Sequence, residues 1–364
     1  MKKIIALVPN ILNVSPGQRV RIEAWARYLG EYGWTVDFYP FESEKLNKLL
    51  YRPGKVLPKA SEMVSCYAKQ FKRILEAPEC DILFIYREAA LIGPSFLERL
   101  AKRLRVPIVY DLDDPIFLPY RSPVNSWFSL LKFSRKTNSI FRLSDQVISI
   151  NDIIGDYARK YNENVAVVPN FVDTDVVYPL SSKETNKSKL VWTGSISTFQ
   201  NLSAIAKPLR RLQKKYDVPI RIVTSGEPEI SDVKFDFQKW TAETEVASLQ
   251  DCDIGLVPLL DLEWNPWKFY LKTIQYMAVG LPVVARKMGS NSEVIQDGVN
   301  GFVVETDEEW FDRLALLIEN HSLRRQMGKA ARKTVLEKYS TSVQIPRVAQ
   351  IFDLAFEKFN TRSE

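Results

Sequence analysis

Histidine is almost absent from this 364-residue chain. The single one, His321, lies in "ENHSLRRQMG", between two late helical patterns, and argues against acid–base catalysis by an imidazole. Cysteine is scarce as well. Cys66, Cys80 and Cys252 are scattered and odd in number. Neither a disulfide framework nor a zinc site is expected, and a reducing cytoplasm is the expected compartment. Long apolar runs are missing: "IALV" and "PVVA" fall far short of the ~20 residues that cross a bilayer. The opening "MKKIIALVPN" has the charged-then-apolar order of a short secretion signal, but no cleavage site follows. A first β-strand is expected there instead.

What is present reads as globular, with 46% hydrophobic and 26% charged residues. Single cores stop growing near ~250–300 residues, so two domains are expected. Charge is unevenly spread. Residues 1–170 hold 25 Lys/Arg against 18 Asp/Glu, and the remainder hold 25 against 26. The first half therefore suits an anionic partner: nucleic acid, a membrane surface or a phosphorylated substrate. Pro115 to Ser144 concentrates this excess in Arg121, Lys132, Arg135, Lys136 and Arg142 with no acid. With "WFSLLKFSRK" inside it, the stretch suits either an amphipathic helix on anionic lipid or a packed helix with a basic rim.

Short β-branched runs alternate with amphipathic stretches. "KIIALVPN", "WTVDFYPF", "DILFIYRE", "PIVYDLDD", "QVISIN" and "NVAVVPN" predict six strands, separated by patterns such as "RIEAWARYLGEYG". After the polar "SSKETNKSK" the pattern restarts with "LVWTGS", "IRIVTSG", "FDFQKW", "DIGLVPL", "LPVVA" and "GFVVE". This alternation predicts parallel sheets built from βαβ units. The expectation is an α/β chain of two Rossmann-like domains, 1–180 and 181–340, facing across a cleft, with a helix over 341–362 packing back on the first.

Five stretches carry candidate chemistry. In "NPWKFYLKTIQYMAVG", Lys268, Lys272 and Gln275 are spaced to share one face of a helix, with Tyr270, Ile274 and Met277 opposite and Gly280 as the stop. In "RKMGSNSEVIQDGVNG", Gly289, Ser290, Asn291, Ser292 and Glu293 form a strand–loop–helix start whose backbone N–H groups suit a phosphate or serve as plain caps. "TGSIST" offers a similar loop in Gly194, Ser195, Ser197 and Thr198. "SPGQRVR" places Gly17, Arg19 and Arg21 after the first strand, where the arginines suit a phosphate or an anionic acceptor. "YDLDDP" ends a strand with Asp111, Asp113 and Asp114. It fits a metal site, the Asp-x-Asp nucleophile of a haloacid-dehalogenase phosphatase, or the floor of a cleft. The phosphatase motif wants Thr where Pro115 stands, and the cleft reading is favoured.

The run "KFYLKTIQYMAVGLPVVARKMGSNSEVIQDGVNGFVV", with "SLRRQMGKAARKTVLEKYS" after it, resembles the donor domain of glycosyltransferase family 4. "RLSDQVISINDIIGDYARKYNENVAVVPNFVDTDVVYP" is similar to that family's interdomain crossover, and "SPGQRVRIEAWARYL" and "YDLDDPIF" look like first-domain features of a bacterial subgroup. The resemblance implies a GT-B fold and a retaining, metal-independent transferase. Its donor would be a nucleotide-diphosphate sugar and its acceptor a glycan or lipid-linked hydroxyl. It implies no nucleic-acid partner. Assembly of bacterial surface polysaccharide or lipid-linked glycan is implied, in the cytoplasm or peripherally on the inner face of the membrane. The family's two glutamates, seven residues apart, would fall at Trp267 and Gln275. A Gln carbonyl still accepts hydrogen bonds from a ribose, without charge. Lys268 and Lys272 resemble subgroup lysines that would face the diphosphate, and Asp113, Asp114 and Arg19 would face the acceptor. The lost glutamates also leave open a GT-B chain that binds donor without turnover, as a regulatory subunit.

Overall fold

A computed structural model describes the chain apart from residues 51, 53, 77–79, 104, 119–132, 134, 181–187, 196, 197, 228, 229, 242 and 364. Residues 119–132 and 134 of the basic stretch Pro115–Ser144, most of the polar stretch after Leu180, and Ser197 lie outside the described residues. The described end of that basic stretch is a helix, Lys136–Leu143, whose buried Lys136 pairs with Glu88 at 2.6 Å. The chain divides into two compact units, Met1–Asn170 with Ile345–Glu364, and Phe171–Gln344.

In the first unit, β1 (Lys2–Val8), β2 (Trp34–Pro40), β3 (Ile82–Tyr86), β4 (Ile108–Leu112), β5 (Gln146–Ser149) and β6 (Val165–Val167) form one sheet in the order β2-β1-β3-β4-β5-β6. Every pairing is parallel, as in Ile4 opposite both Val36 and Ile82. β3 and β4 are buried along their whole length, as expected of strands covered on both faces. Trp34 closes one face against the rings of Phe352 and Phe356, at 5.9 and 6.2 Å between centroids. These two residues lie on the last helix, Thr341–Ser363.

In the second unit, β7 (Leu190–Thr193), β8 (Ile220–Thr224), β9 (Asp236–Lys239), β10 (Ile254–Val257), β11 (Val283–Arg286) and β12 (Gly301–Val304) repeat the design in the order β12-β11-β10-β7-β8-β9. Its core joins Leu190, Trp192, Leu256, Val284, Phe302 and Trp310. All the strands expected from the sequence are present. The segment Phe171–Leu180, assigned by sequence to the first domain, belongs to the second unit. The reason is Arg332, whose guanidinium donates to the carbonyls of Tyr178 (2.6 Å), Thr174 (2.8 Å) and Ala278. Three backbone acceptors on one half-buried fork outweigh the polar composition that follows.

Both sheets are doubly wound. Strand order reverses between β1 and β3 in one and between β7 and β10 in the other. Ligands in such sheets bind beyond the carboxyl ends of the strands at that reversal.

Candidate functional site

At the reversal in the second unit, β7 runs out through Thr193 into Gly194. Helix α1 (Leu271–Ala278) follows the loop after β10. Tyr276 of α1 ties the two together: its phenol accepts from the Thr193 N–H at 2.8 Å and lies 3.1 Å from the Thr193 hydroxyl. That anchor brings Lys272 over β7. Its Nζ sits 4.6 Å above the Trp192 ring. A Cβ on Gly194 would meet that Nζ at 2.8 Å and the Trp192 ring at 2.6 Å, so any side chain there would have to displace the ammonium or the ring.

Lys272 is half-buried, and burial alone pulls its ammonium down to about 8. Among the described residues no carboxylate pairs with it. A buried cation without a counter-ion is costly, and a bound anion would restore its charge. Trp192 was not foreseen. Its place before a strand-ending Gly was the available signal.

Lys268 does not share the helix. Asn265–Trp267 is a single 3-10 turn around Pro266, Lys268 is extended, and α1 begins only at Leu271. The expected three-residue stripe is therefore two residues, Lys272 and Gln275. Lys268 instead meets the next loop through its backbone: its carbonyl accepts from the Ser290 N–H at 3.4 Å.

That loop is largely self-satisfied. The N–H groups of Asn291, Ser292 and Glu293 donate to Met288, Gly289 and Ser290. The Ser290 hydroxyl accepts from the Tyr270 N–H at 2.8 Å, and Asn291 accepts from the Thr273 hydroxyl at 2.6 Å. Ser290 and Asn291 are fully buried and pin the loop to α1. The Gly289 N–H donates to none of the described residues. The Gly194 N–H donates to Val223, and Thr198 folds back on Ser195 through both its N–H and hydroxyl. In the Gly289–Glu293 loop the cradle of free amides expected here shrinks, among the described residues, to Gly289, because short loops satisfy their own backbone.

Gln275 is buried. Its Nε2 donates to the Tyr178 phenol at 2.6 Å and lies 3.4 Å from Glu245 Oε1. Neither partner was foreseen, since each comes from a distant segment.

In the first unit, Gly17, Tyr86, Arg87, Asp113 and Asp114 gather beyond the ends of β1, β3 and β4. Arg87 donates to both Asp113 oxygens, with Nη2 at 2.8 Å from Oδ2, and reaches Asp114 at 2.8 Å. Tyr86 donates to Asp113 at 2.7 Å. Burial pushes the Asp113 carboxyl up, but Arg87 outweighs it and holds it below the usual carboxylate range. A Cβ on Gly17 would meet Tyr86, Asp113 and Arg87 within 2.8 Å, so the short helix Pro16–Val20, which carries half-buried Arg19, lies directly on this cluster.

Arg21 is different. It is wholly buried, bidentate on Asp111 at 2.7 and 2.6 Å, with Val168 O at 3.0 Å. It has been spent on the fold and does not present itself to a phosphate. Asp111 has both oxygens on Arg21 and no exposure, so a phosphatase would lack its nucleophile. No cluster of metal-ligating side chains occurs among the described residues.

Two family models match the chain. Glycosyltransferase Family 4 covers residues 16–176, and Glycosyl transferases group 1 covers 187–320. The chain belongs to glycosyltransferase family 4. It is 23% identical over 258 residues to MMP alpha-(1->4)-mannosyltransferase of Mycolicibacterium hassiacum, covering 66% of this chain and 61% of that protein's length. The sucrose-phosphate synthase structure from Thermosynechococcus elongatus superposes with a TM-score of 0.71 at 13% identity, over 98% of this chain and 100% of that one. Anabaena HepE in complex with UDP and glucose superposes with a TM-score of 0.66 at 15% identity, over 97% and 100%. The family 4 chain thus has the GT-B architecture of two parallel six-stranded sheets.

Proposed function

We propose that the chain moves a sugar from a nucleoside diphosphate to a hydroxyl acceptor, with retention of configuration and without a metal. The observation that carries this is Lys272: a half-buried ammonium with no carboxylate partner, over Trp192 and against Gly194, at the strand reversal of the second sheet. The second unit then binds the donor and the first the acceptor. Lys272 and Lys268 face the diphosphate, whose charge grows as the glycosidic bond breaks. The Gly289 N–H adds a donor to the same anion. Gln275 accepts from a ribose hydroxyl. Asp113, Asp114 and Arg19 orient the acceptor.

Retaining glycosidases set two carboxyl groups about 5 Å apart, one of them a nucleophile. The proposed transferase uses neither. The acceptor hydroxyl attacks from the face the leaving group departs, and a donor phosphate oxygen takes its proton. The protein supplies orientation and charge stabilisation. UDP is the first nucleotide to try, since a solved structure of the same fold holds it. The acceptor is a glycan or a lipid-linked sugar of surface-polysaccharide assembly, met at the membrane's inner face through the basic first half.

Incubating purified protein with UDP-, GDP- and ADP-sugars should raise its melting temperature with one of them, and that sugar should be transferred to an acceptor in a panel insensitive to EDTA. No stabilisation by any nucleotide sugar would sink the reading. Trp267 and Gln275 favour a second one, donor binding without turnover. Tight binding with no transfer or hydrolysis across the panel would decide for it.

A further inference from the structure

Gln275 stands where a carboxylate is usual, and an amide does not replace a carboxylate freely. Either oxygen of a carboxylate accepts a hydrogen bond. An amide has one accepting and one donating end, and half a turn presents the wrong one. Something must hold it.

Glu245 begins helix Glu245–Gln250 and is half-buried. Its Oε1 lies 3.4 Å from Gln275 Nε2, and its Oε2 lies 3.4 Å from the Tyr178 phenol, which is itself 2.6 Å from the same Nε2. Tyr178 is fixed in turn, because Arg332 holds its carbonyl at 2.6 Å. An ionised carboxylate only accepts. The nitrogen end of Gln275 must therefore face Glu245, and the carbonyl end faces away. That carbonyl accepts no hydrogen bond from the described residues.

We infer that Glu245 is a positioning residue: its carboxylate, brought from another helix, locks the Gln275 amide so that the carbonyl is the end offered to a ribose hydroxyl. This rests on the reading of Gln275 as the ribose contact. It returns a negative charge to the place where the family's usual glutamate is missing, one residue further from the ligand. It also explains why a glutamate at 275 would be out of place here. Two carboxylates at that separation repel, and one would take up a proton.

The test uses the full chain and calorimetric titration with UDP, GDP and ADP, then the 2′,3′-dideoxy analogue of whichever binds. Wild type should prefer the ribose form roughly tenfold, the worth of one good hydrogen bond. Glu245→Ala should abolish that preference and leave affinity for the dideoxy form within about twofold, because the diphosphate contacts are untouched. Gln275→Glu should also lose it. The exchanged double variant Glu245→Gln with Gln275→Glu should regain it, since an amide at 245 can donate to a carboxylate at 275. Should Glu245→Ala prove unstable, the exchanged pair decides. A preference that survives in Glu245→Ala, or fails to return in the exchanged pair, overturns the role of Glu245 while Gln275 keeps its own. A wild type that binds diphosphates with no preference for ribose overturns the ribose reading and this inference with it.

Discussion

Two cations, one wholly buried and one half-buried, separate what this chain spends on folding from what it holds ready. Arg21 and Lys272 each lie beside a strand end of a doubly wound sheet. Arg21 has a carboxylate bidentate on it and a backbone carbonyl besides. Lys272 has an aromatic face and a glycine. A buried charge that is fully paired is part of the framework, and removing one partner strands the other. A buried charge that is left unpaired costs stability, and that cost is recovered when an anion binds. Burial alone does not mark a site; burial without a partner does.

The comparison is broken most severely at Arg21. Arg21→Met should destabilise the protein by about 3–5 kcal/mol, because it leaves Asp111 charged and unpaired in the core. The double variant with Asp111→Leu should recover much of that loss in urea titrations. A single variant as stable as wild type would show that the pair is not structural.

Lys272→Met should do the reverse. Stability at pH 7 should hold or rise, while affinity for the diphosphate should fall by roughly ten- to a hundredfold, the worth of a charge-assisted hydrogen bond. Calorimetry and thermal melts on one preparation read both. Gly194→Ala sharpens the point, since its methyl would displace either the Lys272 ammonium or the Trp192 ring. A cost of about 1–3 kcal/mol is expected from the overpacking, together with weaker diphosphate binding. Normal binding would show that the lysine can work from elsewhere.

The smallest effect is in pH. Lys272 titrates near 8 in the folded chain against 10.5 when exposed. Between those values the unfolded chain binds the extra proton, so this group makes stability rise with pH from about 8 to 10.5, and its cost is fully present below. Diphosphate affinity should move the other way, falling as pH rises through about 8. Lys272→Arg should flatten that fall, because a guanidinium stays charged. An equal slope in both would remove Lys272 from the site.

Much of the fold was legible before any coordinates. Fully buried parallel strands are short apolar runs between turn residues, and the runs from "KIIALVPN" to "GFVVE" all became strands. Lys272 and Gln275 were legible for the same local reason, their spacing on one helix. Lys268 was not, because spacing does not reveal that Pro266 sits in a 3-10 turn with extended backbone after it. The loop amides at Ser290 to Glu293 were misread in the opposite sense. Small residues suggest free N–H groups, but the loop closes on itself.

What the amino-acid order determined by itself is the set of strands, the helix that carries Lys272, and the glycine that lets it approach. These follow from periodicity and residue size, which act over a few neighbours. Only the tertiary structure decided which charges are paired. Arg21 finds Asp111 across 90 positions, and Gln275 finds Glu245 across 30 and Tyr178 across 97. Such partners are chosen by how sheets and helices stack, and no local pattern carries that information. Lys272 is a half-buried cation that this pairing leaves without a carboxylate among the described residues, and it is there that we propose the diphosphate binds.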